Sequence, residues 1–298
     1  MNRTATWNKV GTDIHTATNT LEALNMAGLN YEVEKAPIFL DNGFQVPNFF
    51  ATKESGTDRT FGIVGNDYTV VQNKEAFEFI DSIIPEGLQF IKAGETRKGM
   101  FLITKLPSHY ILGDEVTPYL ILQNSHNGSC SLRSAICPLR IVCQNQFTRA
   151  FREADNSISL RHSTNIQERM EEAKQVLSFA ASYMNTFKAE AEVMAAKKLT
   201  KNQVDQVVEN YFFIPADATE RKVESIQQKK QQFLTAYNCE DNQNFKGTAW
   251  GLINAFADFN THQEPGRDTD LAATRKFLKV TLNTKPMEQF INLVQATA

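Results

Sequence analysis

The chain has 298 residues, of which 42% are hydrophobic and 22% are charged, and its formal net charge is −3. This length and composition predict a soluble globular protein with a substantial core and one or two domains. No stretch approaches the roughly 18 consecutive apolar residues of a membrane helix, and the start lacks the apolar core of a secretory signal. We therefore expect a protein that stays in the cytoplasm where it is made, without a membrane partner.

The residue types that carry metal, redox and nucleotide chemistry are scattered. The four cysteines form no C-x-x-C pair, and the five histidines include no H-x-x-x-H pair. Neither the G-x-x-x-x-G-K-[ST] pattern nor G-x-G-x-x-G is present. These absences predict that the protein has no metal site and no cofactor, and they argue against a P-loop ATPase or a dinucleotide enzyme.

The N-terminal part predicts a short helix followed by strands. Apolar residues lie near helical spacing in Thr18–Leu29, and Gly28 stands where a helix would end. From Tyr31, short segments rich in aromatic and β-branched residues alternate with Asn-Gly, Ser-Gly and Gly-Asn turns, which predicts antiparallel strands. The stretch NKEAFEFIDSII then predicts a second helix, which ends at Pro85.

Strand patterns return after this helix. The segments LQFIKAGETRKGMFLITKL and YLILQNSHNGSCSLRSAI carry turn residues near their middles, so each predicts a hairpin, and LRIVCQNQF predicts a further strand. In GETRKG, Arg97 and Lys98 are predicted to lie in a solvated turn. Residues 31–150 therefore predict a mixed, mainly antiparallel sheet with at least one covering helix.

The second half predicts helices. Thr164–Gln167 and Thr200–Gln203 each fit a capping box, and Asp217 with Glu220 forms a similar signature of a helix start. Apolar residues at helical spacing predict an amphipathic helix between the first two. Later helices are predicted near 201–213, near 218–237 and, as the last clear helix, from about Gly247.

The predicted fold class is α+β, with a mainly antiparallel sheet and a covering helix in the N-terminal half and a helical C-terminal half. Residues 1–162 are predicted to form the sheet domain. Residues 163–298 are predicted to form a helical region that packs on the sheet domain or projects from it.

Charge is distributed unevenly along the chain. Residues 1–90 hold 6 Lys and Arg against 12 Asp and Glu, whereas residues 91–152 hold 8 against 3. A basic segment inside an acidic protein is typical of a local polyanion site. The alternative is that these cations cover a solvated face or pair with the acidic N-terminal part.

Five segments in order resemble a known family: FGIVGNDYTVVQN, LQNSHNGS, RIVCQNQF, LRHSTNI and GTAWGLINAF. From about Trp7 to His262 the chain resembles the phage- and plasmid-encoded domain of unknown function 932. The resemblance implies a protein of phages, prophages or plasmids, and it brings no established activity. The N-terminal motif WNKVGT departs from the family's W-H-x-L-G, so the resemblance assigns no histidine there.

The basic segment favours a non-enzymatic nucleic-acid-binding protein. A curved sheet that carries arginines and aromatic rings binds a phosphate backbone electrostatically and stacks bases on its rings. Single-stranded DNA, whose bases are unpaired, is the ligand that suits such a surface. We expect a role in recombination, replication or genome maintenance, in a homo-oligomer, by analogy with the ring-forming proteins that anneal DNA strands. The predicted nucleic-acid contacts are Arg133, Arg140, Arg149, Arg152, Arg161 and Phe147.

Two alternatives remain open. The first is a hydrolase with Cys143 as nucleophile, His126 or His162 as its base and Asn145 as the orienting residue. Strict strand alternation places Arg140 and Cys143 on opposite faces, which weakens a joint catalytic role for those two residues. The second alternative is a factor that binds a host protein, such as a defence protein, through an acidic or apolar surface.

The same polar residues also have a structural interpretation. In NSHNGS, Ser125 and His126 either close a hairpin or, together with backbone amides, face a phosphate or carbonyl group. On the structural interpretation, a polar seam fixes the sheet. The members of that seam are Asn124, His126, Cys143, Asn145 and His162.

Overall fold

The structure is a computed structural model, which describes residues 11–82, 87–140, 145–146, 157–166, 168, 180–262 and 285–297. It confirms an α+β fold with antiparallel sheets in the N-terminal half and helices in the C-terminal half. The strands are β1 (Thr12–Asp13), β2 (Val33–Phe39), β3 (Gln45–Glu54), β4 (Thr60–Gly65), β5 (Gln89–Thr96), β6 (Gly99–Lys105), β7 (His109–Ile111), β8 (Asp114–Asn124), β9 (Leu132–Arg140), β10 (Asn145–Gln146) and β11 (Ser157–Leu160). The helices are α1 (Thr20–Met26), α2 (Asn73–Phe77), α3 (Ala180–Ala196), α4 (Lys201–Tyr211), α5 (Glu220–Tyr237), α6 (Ala249–His262) and α7 (Lys285–Thr297).

The larger sheet has eight strands in the order β1-β5-β6-β8-β9-β10, with β7 paired to β8 and β11 paired to β9. The two predicted hairpins are present as β5–β6 and β8–β9, and every pairing in this sheet is antiparallel. In the β8–β9 turn Gly128 has a φ of +69°, the left-handed conformation that the Asn-Gly pair predicts. β9 is flanked on one side by β8 and on the other by β10 and β11.

The predicted single sheet is in fact two sheets, because β2, β3 and β4 pair only with one another in the described part of the chain. One face of this small sheet packs onto the β8–β9 turn, and a Cβ on Gly62 would lie 2.7 Å from Cβ of Asn127. Phe61 has no partner in the β3–β4 register, which shifts at that point. Such a bulge redirects a side chain, and the Phe61 ring contacts Tyr31 and His126.

Most of the predicted helices are confirmed. α4 starts with the predicted capping box of Thr200 and Gln203, whereas the residue that precedes α5 is Thr219 and not Asp217. The helix expected from Gly247 is α6, but it is not the last one, because α7 follows it. Within the described ranges, none of the helices combines the length and apolar character needed to cross a membrane.

One continuous buried cluster joins the sheet to the helices. It extends from Ile14 beside β1 through Leu122 in β8 to Trp250 in α6 and Val294 in α7. The α6 helix contacts β10, and α3 contacts β7. The helices α3 and α6 therefore pack against the larger sheet, and the candidate site lies at the opposite end of that sheet.

Candidate functional site

Three of the five family-like segments meet at one buried place. FGIVGNDYTVVQN supplies Tyr68 and Asn73, LQNSHNGS supplies Asn124 and His126, and LRHSTNI supplies His162. We call these five residues the histidine cluster. The cluster lies where β8 ends, the small sheet covers the β8–β9 turn, and α2 and β11 approach from either side.

The hydrogen bonds that Asn73 donates and accepts determine the tautomer of His126. Asn73 Nδ2 donates to the carbonyl oxygen of Leu29 over 2.9 Å, so its Oδ1 is the acceptor for Asn124 Nδ2 and for His126 Nε2, each at 3.2 Å. His126 therefore carries its proton on Nε2. Its Nδ1 is buried and has no hydrogen-bond partner among the described residues, although the side chain is only 2% exposed.

His162 has the opposite tautomer for an equivalent reason. Its Nδ1 lies 3.1 Å from the carbonyl oxygen of Thr69, which can only accept, so the proton is on Nδ1. Its Nε2 is buried without a partner in the described part of the chain. The ring stacks on Tyr68 with centroids 4.9 Å apart, and the Tyr68 hydroxyl donates to the carbonyl oxygen of Ser125 over 2.7 Å.

Burial keeps both imidazoles neutral. Desolvation, reinforced by the nearby His162 and Arg59, lowers the pKa of His126 to about 3. Desolvation also lowers the pKa of His162, against the opposing effect of its bond to Thr69. At neutral pH the cluster is therefore an uncharged polar core between the two sheets.

An aromatic layer with one arginine covers the cluster. Tyr31 stacks on Phe61 at 5.4 Å, and the His126 ring lies edge-on to both rings. The Arg59 guanidinium lies over both rings, at 4.9 and 4.8 Å, and pairs with Glu54 and Glu95. Burial and the nearby Glu95 raise the pKa of Tyr31 to about 12, so its hydroxyl stays protonated.

Beside the cluster, two turns bring cations to one end of the larger sheet. Arg97 and Lys98 lie exposed in the β5–β6 turn, as predicted. Their carbonyl oxygens accept hydrogen bonds from Asn127 Nδ2 and Ser129 Oγ, each at 3.1 Å, so the β5–β6 and β8–β9 turns are tied together. Gly99 makes this contact possible, because a Cβ there would lie 2.0 Å from the Asn124 carbonyl oxygen.

Two of the predicted phosphate-binding arginines join the same end. Arg133 pairs across the sheet with Gln123 and Ser159, and Arg161 directly follows Leu160, which pairs with Leu132. Arg161 is exposed, whereas Arg133 is half-buried and its buried Nε has no hydrogen-bond partner among the described residues. We call the four cations at this end of the sheet the basic end: Arg97, Lys98, Arg133 and Arg161.

In the part of the chain that the structure describes, no member of the basic end forms an ion pair. Other cations behave differently, since Lys92 pairs with Asp13 at 3.2 Å and Arg59 with two glutamates. The expectation that the basic residues of 91–152 pair with the acidic N-terminal part therefore holds for Lys92 and, among the described residues, not for Arg97, Lys98 or Arg133.

The structure places the remaining predicted site residues either far from the histidine cluster or outside the described part of the chain. The backbone of Arg140 lies seven positions from Arg133 along β9, which is about 23 Å at the usual rise of a strand. Asn145 of β10 pairs with Arg140. Asn145 therefore lies far from His126, and the structure does not bring these two residues of the proposed hydrolase together. The remaining predicted residues lie outside the described part of the chain: Cys143, Phe147, Arg149 and Arg152.

The geometry of the two histidines favours a structural role over a catalytic role. A general base works best with a pKa near the operating pH, and that of His126 is far lower. His126 and His162 instead tie β8, α2 and β11 together through Asn73 and Thr69. Among the described residues, no group of three or more His, Cys, Asp and Glu side chains is placed to hold a metal ion.

Sequence reasoning missed the layer of Tyr31, Arg59 and Phe61. The strand pattern placed Phe61 in β4 but did not show the bulge that turns its ring inward. Arg59 stands two positions before Phe61 in the turn between β3 and β4. The only signal in the sequence was the pairing of arginine with nearby aromatic residues, which is common on protein surfaces.

The fold and site define an α+β protein in which two antiparallel sheets meet at a buried histidine cluster beside the basic end. The chain belongs to the family described as domain of unknown function (DUF932), whose family model matches residues 60–289. The match begins at the first residue of β4, so β2 and β3 lie outside it. No curated protein and no solved structure matches the chain.

Proposed function

We propose that the protein binds single-stranded DNA through the basic end, without catalysing a reaction, and acts in recombination, replication or genome maintenance of a phage or plasmid. The observation that carries this proposal is the grouping of Arg97, Lys98, Arg133 and Arg161 at one end of the larger sheet.

The charges of the basic end suit a phosphate ligand. Arg97, Lys98 and Arg161 are exposed cations without a carboxylate partner among the described residues. Clustered Lys and Arg bind a phosphate backbone by releasing its counterions, whatever the net charge of the whole protein. Because guanidinium groups bind phosphate in a bidentate manner, the two arginines supply orientation as well as charge.

The arrangement along β9 favours a flexible single strand over a duplex. Arg140 stands about 23 Å along β9 from Arg133. Tyr110, which is 72% exposed, pairs with Glu115 at the same end of the sheet as Arg140. A single strand offers unpaired bases that can stack on the exposed Tyr110 ring, whereas the bases of a duplex are already stacked and paired.

Fluorescence anisotropy with labelled single-stranded and double-stranded DNA of the same sequence tests the proposal. The test variant is Arg133→Ala with Arg161→Ala, and its control of equal charge is Lys222→Ala with Lys229→Ala on the exposed face of α5. We expect the single strand to bind more tightly than the duplex, and only the arginine variant to lose at least tenfold in affinity. Absence of binding to either DNA at low salt overturns the proposal.

A further inference from the structure

The small sheet presents an apolar surface to solvent. On its outer face, Ala36, Ala51 and Ile63 form one cross-strand row, and Phe49 stands on the same face. Ile63 is 64% exposed and Phe49 is 51% exposed. At the tip of the β2–β3 hairpin, three more large apolar side chains are exposed: Phe39, Leu40 and Phe44. We call these five exposed residues and the two alanines the outer face.

The outer face is large enough to be an interface. An aromatic side chain buries about 150–250 Å² when fully covered, so five large side chains that are about half exposed offer roughly 500 Å². This lies at the upper end of the largest apolar patch on ordinary monomers. With its polar rim the surface approaches the about 800 Å² that each partner contributes to a standard interface.

Nucleic acid is a poor occupant for this surface, because every described cation beside it is already engaged. Lys53 pairs with Glu34, and Arg59 pairs with Glu54 and Glu95. The third cation, Lys35, donates from Nζ to the carbonyl oxygens of Asn66 and Tyr68 and lies over the Phe50 ring. A phosphate backbone would therefore meet acidic side chains and, among the described residues beside this surface, no free cation.

The charge pattern instead suits a second copy of the same face. Glu34 and Lys53 are a cross-strand pair on the outer face, 3.2 Å apart, and both remain partly exposed. In a twofold arrangement the two copies exchange these partners: Glu34 of each copy pairs with Lys53 of the other, so every charge stays paired and the contact repeats across the axis. We infer that the outer face of the small sheet is a self-association interface that joins two copies of this chain.

This interface is separate from the candidate nucleic-acid site. The inner face of the small sheet packs on the β8–β9 turn, so the outer face points away from that turn and from the histidine cluster. Two of its three strands, β2 and β3, also precede the residues that the family model matches. Self-association through this face therefore does not depend on DNA binding, and dimerisation would place two basic ends in one assembly.

Sedimentation equilibrium of the full chain tests the interface. We expect wild-type protein to dimerise, and Phe49→Lys with Ile63→Lys to weaken dimerisation at least tenfold, while the two proteins have the same thermal unfolding temperature at a concentration where both are monomeric. The matched control is Val193→Lys with Phe213→Lys, which replaces two side chains that are 66% and 68% exposed outside the small sheet. We expect the control to dimerise like the wild type.

Charge exchange supplies a second test that does not depend on the apolar residues. Glu34→Lys alone and Lys53→Glu alone place like charges across the twofold axis, so each variant should dimerise less than wild type. An equimolar mixture of the two variants restores opposite charges in the heterodimer and should recover association. A wild-type chain that stays monomeric at about 100 µM, where a Kd of 1 µM gives mostly dimer, overturns the inference. Dimerisation that survives both lysine substitutions on the outer face also overturns it and directs attention to another surface.

Discussion

Nε2 of His126 donates to Oδ1 of Asn73 across 53 positions of the chain, over 3.2 Å. This bond links the end of β8 to the start of α2, and the same Asn73 oxygen accepts from Asn124. Because Asn73 also donates to Leu29, a single asparagine side chain joins three segments. The buried network holds the β8–β9 turn, which in turn positions the basic end.

The buried neutral state of His126 makes stability depend on pH. The pKa of His126 is lowered to about 3, whereas an unfolded histidine titrates near 6.5. Below pH 6.5 the unfolded state binds a proton at His126 that the folded state does not bind. The contribution of His126 to the free energy of unfolding is therefore fully present above pH 6.5 and is lost as the pH falls towards 3. At pH 5 we expect a loss of about 2 kcal/mol from His126, with His162 adding to it in the same direction.

Urea unfolding at several pH values measures this effect. His126→Phe removes the titrating group, so its free energy of unfolding should fall less between pH 7 and pH 5 than that of the wild type. The control variant is His109→Phe on β7, whose half-buried ring takes no part in the histidine cluster. Equal pH dependence in His126→Phe and the wild type would contradict the assignment.

Gly99 is required by the contact between the two turns. A Cβ at Gly99 would lie 2.0 Å from the Asn124 carbonyl oxygen, and its φ of +121° is unfavourable for other residues. Gly113 has a φ of +88°, but no atom of the described residues lies within 4 Å of such a Cβ. We expect Gly99→Ala to cost about 3 kcal/mol or more and Gly113→Ala about 1–2 kcal/mol, the cost of backbone strain alone. Chemical denaturation of the two variants compares them, and equal losses would show that the turns do not press together.

The C-terminal helix α7 belongs to the core of the protein. Phe290 is fully buried and stacks on Phe256 of α6 with centroids 4.2 Å apart. Phe290→Ala should therefore lower the free energy of unfolding by about 3–5 kcal/mol. Phe213→Ala removes a ring that is 68% exposed, so it should change the free energy of unfolding by less than about 0.5 kcal/mol. Thermal or urea unfolding distinguishes the two, and a small effect at Phe290 would mean that α7 is not anchored.

The elements with strong local signals were predictable from sequence. The Asn127-Gly128 turn, the β5–β6 hairpin and the capping box at Thr200 are decided by residues within a few positions of one another. The α7 helix was missed, although its Met287, Phe290, Ile291 and Val294 are buried and lie at helical spacing.

The candidate site was predictable only in part. His126 and His162 were identified from their motifs, but their meeting depends on long-range packing that no local pattern encodes. The split into two sheets and the inward turn of Phe61 follow from a bulge and from strand partners far apart in the chain. The separation of Arg133 from Arg140 required the register of β9, which places them at opposite ends of one strand.

The most direct measurement of the central claim is the salt dependence of single-stranded DNA binding. For single strands, log K falls with log salt with a slope of about −0.7 for each neutralised phosphate. If Arg133 and Arg161 each contact a phosphate, their double alanine variant should have a slope shallower by about 1.4, and the Lys222→Ala, Lys229→Ala control should keep the wild-type slope. An unchanged slope in the arginine variant would contradict phosphate binding at the basic end.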